Sequence, residues 1–104
     1  MRKKSKTMEI RINAIHFDIS ERLAEFINKK AERLARRNVD ITYVDFNLKV
    51  IKPETAMNKE ATIKVIVPGS GEIVATKVAD SFEEAVDLSI DAADHQLAKI
   101  KGKK

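Results

Sequence analysis

The sequence has no cysteine and no tryptophan, and only one tyrosine, two prolines and three glycines among its 104 residues. Without cysteine there is no disulfide framework, no thiolate zinc site and no thiol nucleophile, which fits a reducing compartment. The two histidines, His16 and His95, stand far apart, and no H-x-x-x-H spacing accompanies them. A zinc centre or a nucleophile–base pair needs convergent ligands, and nothing local supplies them. Catalysis, a bound metal and a cofactor are therefore not expected. Long apolar runs are missing too. The first residues, MRKKSKT, look like the charged start of a signal peptide, but an alternating segment follows them, so neither export nor membrane insertion is supported. The cytoplasm is the expected location. No repeat or low-complexity tract interrupts the chain.

What the sequence does have is segregated charge. The formal net charge is +4 and the pI about 9.4, moderately basic values that say little alone. Distribution says more. Arg2, Lys3, Lys4 and Lys6 crowd the start, and Lys99, Lys101, Lys103 and Lys104 crowd the end. From Asp80 to His95 there are six carboxylates and no Lys or Arg. Such separation points to a polyanionic partner. The hydrophobic fraction of 43% is ordinary for a folded protein, and the length suits one domain with a modest core.

Periodicity sets out six elements. MEIRIN, residues 8–13, alternates with Met8, Ile10 and Ile12 on one side, the pattern of a half-buried strand. Ser20 is a good N-cap followed by Glu21, and Leu23, Ile27, Ala31 and Leu34 then recur on one helical face. That helix is expected to reach about Arg37. Residues 41–51 read as a long strand with Val44, Phe46, Leu48 and Val50 on one face and Tyr43, Asp45, Asn47 and Lys49 on the other. KPETAMNK is a polar loop around Pro53, long for a hairpin and expected to be mobile. Ala61, Ile63, Val65 and Val67 mark a third strand, PGSG a turn, and residues 72–79 a fourth strand. Ser81 and Glu84 form a capping box ahead of a second helix, whose apolar face carries Phe82, Val86, Ile90, Ala93, Leu97 and Ile100. The fold class is α+β: a two-layer β-α-β-β-β-α sandwich, its four-stranded sheet carrying both helices on one face. The first two strands, joined through a helix, are expected to run parallel, and the last three antiparallel. Residues 1–7 are assigned as a flexible basic extension, 8–101 as the domain and 102–104 as a basic tail.

Chemistry concentrates on the first helix. On a helical wheel Arg22, Lys29, Arg33, Arg36 and Arg37 cluster within roughly a third of the circumference. Lys30 lies at the edge of the apolar stripe, where its stem packs while its ammonium reaches out. The row reads either as a solvated face or as a phosphate-facing one. Arginine favours the second, because its planar fork suits phosphate oxygens. No aromatic platform interleaves these cations, so recognition by backbone and shape of structured RNA fits better than base stacking. The acidic row of the second helix, Glu84, Asp87, Asp91 and Asp94, reads as a solvated face or a surface for a protein partner. His95 is expected on the polar side of that helix.

These elements resemble the bacterial ribosome hibernation-promoting factor and ribosome-associated inhibitor family in its short form. The resemblance is carried by MEIRINAIHFDISERLAEFINKKAERL, by the strands around VDFNLKV and EATIKVIV, and by GEIVATKVADSFEEAVDLSIDAADHQLAKIK. The motifs are a histidine ahead of an I-S helix start, L-x-E-F-I-x-x-K-x-x-R-L, and D-x-x-x-x-Q-L-x-K-x-K near the end. The resemblance implies a double-stranded-RNA-binding-domain-like fold. It implies binding to small-subunit rRNA in the mRNA and tRNA channel, in competition with mRNA and tRNA, and inhibition of translation in stress or stationary phase. By position it points to His16, Lys30, Arg33, Lys99 and Lys101 as RNA-binding residues; Arg22, Lys29, Arg36 and Arg37 join them on physical grounds. The family often has cations where this chain has Ala92 and His95, and an aromatic where it has Glu83, which shifts the expected RNA contact toward the first helix. The long form's C-terminal dimerisation domain is not in this sequence, so pairing of ribosomes by that route is not expected; off the ribosome a monomer is expected. The alternative is a protein-interaction module that regulates transcription, as an older label of the family has it, or that dimerises through the acidic second helix.

Overall fold

The alternating segments form strands and the amphipathic ones helices, in the order β1 (Glu9–Ile15), α1 (Glu21–Arg37), β2 (Tyr43–Val50), β3 (Lys59–Val67), β4 (Gly71–Ala79) and α2 (Phe82–Gly102). This computed structural model describes residues 8–38, 40–51, 56–69 and 71–102, with Lys101 and Gly102 described by backbone alone. The 1–7 extension, the Pro53 part of the long loop and the last two lysines lie outside the described residues. The helix continues one residue past the expected domain boundary.

The sheet order is β1-β2-β3-β4. β1 pairs parallel with β2, and β2–β3 and β3–β4 are antiparallel. A parallel neighbour cannot be reached by a tight turn, so α1 serves as the crossover. Val44, Phe46 and Leu48 of β2 and Ala61, Ile63 and Val65 of β3 are fully buried, and share one core with the buried Leu23, Ile27, Ala31 and Leu34 of α1. This central pair of strands carries the core, while Ile10 and Ile12 on edge strand β1 are half-buried. The other sheet face stays wet. Across it Asn13 donates from Nδ2 to Asp45 at 3.3 Å and Asn47 at 3.2 Å, Thr62 meets Thr76 at 3.0 Å, and Lys64 meets Glu72 at 3.4 Å. These cross-strand pairs support the register without needing a cover.

Both helix starts are capped by serine. Ser20 Oγ accepts from the Leu23 amide and Ser81 Oγ from the Glu84 amide, each at 3.1 Å. Phe17 stacks on Phe82 with ring centroids 4.8 Å apart, pinning the β1–α1 turn to the first residue of α2. The β3–β4 turn needs glycine where the chain crosses to positive φ, at Gly69 (87°) and Gly71 (105°).

Three boundaries and faces differ from expectation. β2 is shorter, because the Ile41 amide donates to the Asn38 carbonyl and so belongs to the turn, although Ile41 is buried. β1 runs on to Ile15. On α2 the buried stripe includes Ala85 and Ser89, whereas Ile90 is only half-buried and turns toward α1. A serine was not an obvious core residue; its hydroxyl is satisfied within the helix, donating to the Val86 carbonyl at 2.8 Å.

Candidate nucleic-acid interface

The apolar stripe of α1 faces the sheet, which leaves the cations on its remaining circumference. The stripe centres on Leu23, Ile27, Ala31 and Leu34. At about 100° per residue, Arg22, Lys29, Arg33 and Arg36 fall within roughly 60° of one another on the outer flank. All four are exposed. Among the described residues none pairs with any of them. From Arg22 to Arg36 the row runs about 21 Å at 1.5 Å per residue.

Lys30 and Arg37 behave differently. Both sit between the outer row and the core, on the side facing α2. Lys30 Nζ lies 3.0 Å from Asp87 Oδ1, and an Arg37 guanidinium nitrogen lies 3.1 Å from Asp94 Oδ2. The Lys30 stem packs at the stripe's edge as expected, but its ammonium reaches a carboxylate of α2 and not bulk water alone. Each pair is separated from the next by seven residues in both helices, so α1 and α2 run parallel and meet row against row. Asn38, buried at the end of α1, adds a link by donating from Nδ2 to the Leu34 carbonyl at 2.9 Å and to Asp94 at 3.5 Å. The acidic row is therefore not simply a solvated face: Asp87 and Asp94 are engaged by α1, while Glu84 and Asp91 are exposed.

Two hollows flank this arrangement. One, of about 230 Å³, lies between the helices and is lined by Lys30, Arg33, Arg37, Asp87, Asp91 and Asp94 over Leu34 and Ile90. The other, of about 470 Å³, is an open dish on α1 formed by Phe26, Lys29, Lys30, Glu32, Arg33 and Arg36. Phe26 is half-buried within it, and Lys30 Nζ stands 5.4 Å from its ring centroid. An aromatic thus does sit among the cations, contrary to the sequence reading. The helical wheel that groups the cations places Phe26 beside them, between the basic row and the apolar stripe.

The remaining candidates are not gathered with this row. His16 is exposed in the β1–α1 turn at φ 65°, a left-handed conformation uncommon for residues with a Cβ. It lies at the helix-start end, beside the Phe17–Phe82 stack. Lys99 is exposed near the other end of α2. It sits roughly 120–140° around the helix from Asp87 and Asp94 and so faces away from α1. Lys101 is helical, its side chain outside the described residues. His95 is exposed, its Nδ1 3.1 Å from the Asp91 carbonyl. No group of three or more His, Cys, Asp or Glu able to hold a metal occurs among the described residues. No described helix is long and apolar enough to cross a membrane.

An exposed row of cations on a rigid helix can hold successive anionic oxygens, and this geometry suits a polyphosphate backbone. Compared with known proteins, residues 10–104 match the family described as sigma 54 modulation protein / S30EA ribosomal protein. The chain is 31% identical over 96 residues to the ribosome hibernation promoting factor of Pseudomonas putida, covering 92% of this chain and 89% of that protein. It has the same identity, over 85% of the relative's length, to the ribosome hibernation promoting factor of Azotobacter vinelandii. Among solved structures, a ribosomal subunit interface protein from Coxiella burnetii superposes with a TM-score of 0.81 at 29% identity, covering 92% of this chain and all of the other. The N-terminal domain of Thermus thermophilus Protein Y, at 20% identity and a TM-score of 0.70, shares the fold over 89% of this chain and 97% of its own.

Proposed function

Since the chain belongs to the sigma 54 modulation protein / S30EA ribosomal protein family, we propose that it is a ribosome hibernation factor that binds small-subunit rRNA in the mRNA and tRNA channel and so inhibits translation in stress or stationary phase. The family is not one of enzymes, and the mechanism is occupancy without turnover. Its setting is the cytoplasm, where the ribosomes are.

The observation that carries this reading is the exposed row Arg22, Lys29, Arg33 and Arg36, left without carboxylate partners among the described residues. Such cations displace counterions condensed on RNA, which favours binding and makes it salt-dependent. Lys30 and Arg37 stand next to the row and extend it where RNA can compete for them. His16 and Lys99, at opposite ends of the helical layer, and Lys101 beyond would contact more distant rRNA segments. The alternative reading as a dimerising module relies on a free acidic face, and two of its four carboxylates are already bridged to α1.

The test is co-sedimentation of the chain with purified small subunits, with and without mRNA and initiator tRNA. Pelleting that falls when mRNA and tRNA are bound first is the expected result. A dimer that stays in the supernatant would instead support the interaction-module reading. Equal affinity for free RNA duplex would reduce the function to generic duplex binding.

A further inference from the structure

We propose that the acidic row of α2 is a built-in competitor for the phosphates that α1 binds, with Asp87 and Asp94 withholding Lys30 and Arg37 from RNA. The inference rests on the rRNA-binding reading above and deepens it. α1 has six cations, and two of them are held across the interhelical groove at 3.0 and 3.1 Å. A carboxylate and a phosphate oxygen seek the same donors on an ammonium or guanidinium group. RNA can gain those two cations only by displacing or sharing the carboxylate that already holds each one.

The pairs are placed to be displaced. The Asp87 side chain is 55% exposed and that of Arg37 66%, so each pair meets water and salt from one side. Partly exposed pairs of this kind shift an equilibrium by about fivefold at most. Asp91 lies between the two pairing acids and lines the same groove beside Arg33. Three carboxylates spaced over two helical turns therefore form a negative wall along one side of the cation row. That wall repels a phosphate backbone approaching from α2 and confines it to the outer flank of α1. The chain binds more weakly than six free cations would allow, and the deficit favours release.

The experiment measures equilibrium affinity for isolated small subunits over a range of salt, using Asp87→Asn and Asp94→Asn singly and together. Each substitution is expected to tighten binding by up to about fivefold. The slope of log K against log salt is expected to steepen by about 0.7 to 0.9 when Asp87→Asn releases Lys30. Asp87→Asn made in a Lys30→Met background is expected to gain no more than Asp91→Asn does and to leave the salt slope unchanged, because the cation it would free is gone. Asp91→Asn should tighten binding only slightly and leave the slope alone. Unchanged or weaker binding by both Asp87→Asn and Asp94→Asn overturns the proposal, and would mean that the acids position the cations for RNA. Should Asp94→Asn lose structure through its link to Asn38, Asp87→Asn carries the test by itself, with folding followed by circular dichroism. Failure of the unaltered chain to bind small subunits overturns the functional reading and this inference together. Binding by that chain without tightening in the variants overturns this inference alone.

Discussion

Neutralising the outer row of α1 should remove salt dependence in countable steps. Arg22, Lys29, Arg33 and Arg36 are exposed and unpaired among the described residues, so each is available to displace a counterion. Four such contacts contribute a slope of about −2.8 to −3.6 to log K against log salt, taking about 0.7 to 0.9 for each. Raising salt from about 50 to 200 mM would then weaken binding about 50- to 150-fold through these residues alone. Arg33→Gln with Arg36→Gln should make the slope shallower by about 1.4 to 1.8, cutting that loss by about 7- to 12-fold. Lys30→Gln should change the slope less than Arg33→Gln, because Lys30 already pairs with Asp87. The fold should be indifferent, with stability moving by no more than about 0.5 kcal/mol for each exposed position. The assay is filter or fluorescence-anisotropy binding to purified small subunits at five or more salt concentrations, with a urea melt of each variant. A chain with all four positions changed to Gln that kept the parent's slope would refute the reasoning, and the row would then be a solvated face.

Two further outcomes test the architecture. Phe46→Ala should cost about 3 to 5 kcal/mol in a urea melt, since Phe46 is fully buried at the centre of the sheet under the helices; a loss below about 1 kcal/mol would mean the core is not packed as described. His16→Gly should hold stability or raise it by up to about 1 kcal/mol, because glycine tolerates φ 65° without strain. Small-subunit binding by that variant should weaken. A large stability loss would show that the imidazole serves the fold, and unchanged binding would remove His16 from the interface.

Most of the architecture was legible in the sequence because each element faces only one layer. A strand buried on one side must alternate and a helix buried on one side must repeat at 3.6 residues, so Val44, Phe46 and Leu48 and then Leu23, Ile27, Ala31 and Leu34 announce their own burial. Where an element meets two neighbours the pattern blurs. α2 rests on β3 and β4 and also touches α1, which is why Ile90 leaves the core stripe while Ala85 and Ser89 enter it. Element ends were less legible, since Ile41 is as apolar and buried as a strand residue while its amide serves a turn.

The candidate site divides along the same line. Local spacing by itself determined that α1 has one basic flank, that serines cap both helices, and that α2 has an acidic row, because these depend on residues within a few turns of one another. Which charges meet was decided only by tertiary structure. The parallel packing of α1 and α2 brings Lys30 to Asp87 and Arg37 to Asp94, 57 positions apart in each case. Turned toward the opposite flank, Lys99 stays away from the row despite its charge. In water and salt, charges are largely screened beyond about 10 Å, so pairing is a local matter and a net charge of +4 could never reveal which cations are spoken for. The register of two helices on one sheet does that, and it leaves Arg22, Lys29, Arg33 and Arg36 facing outward.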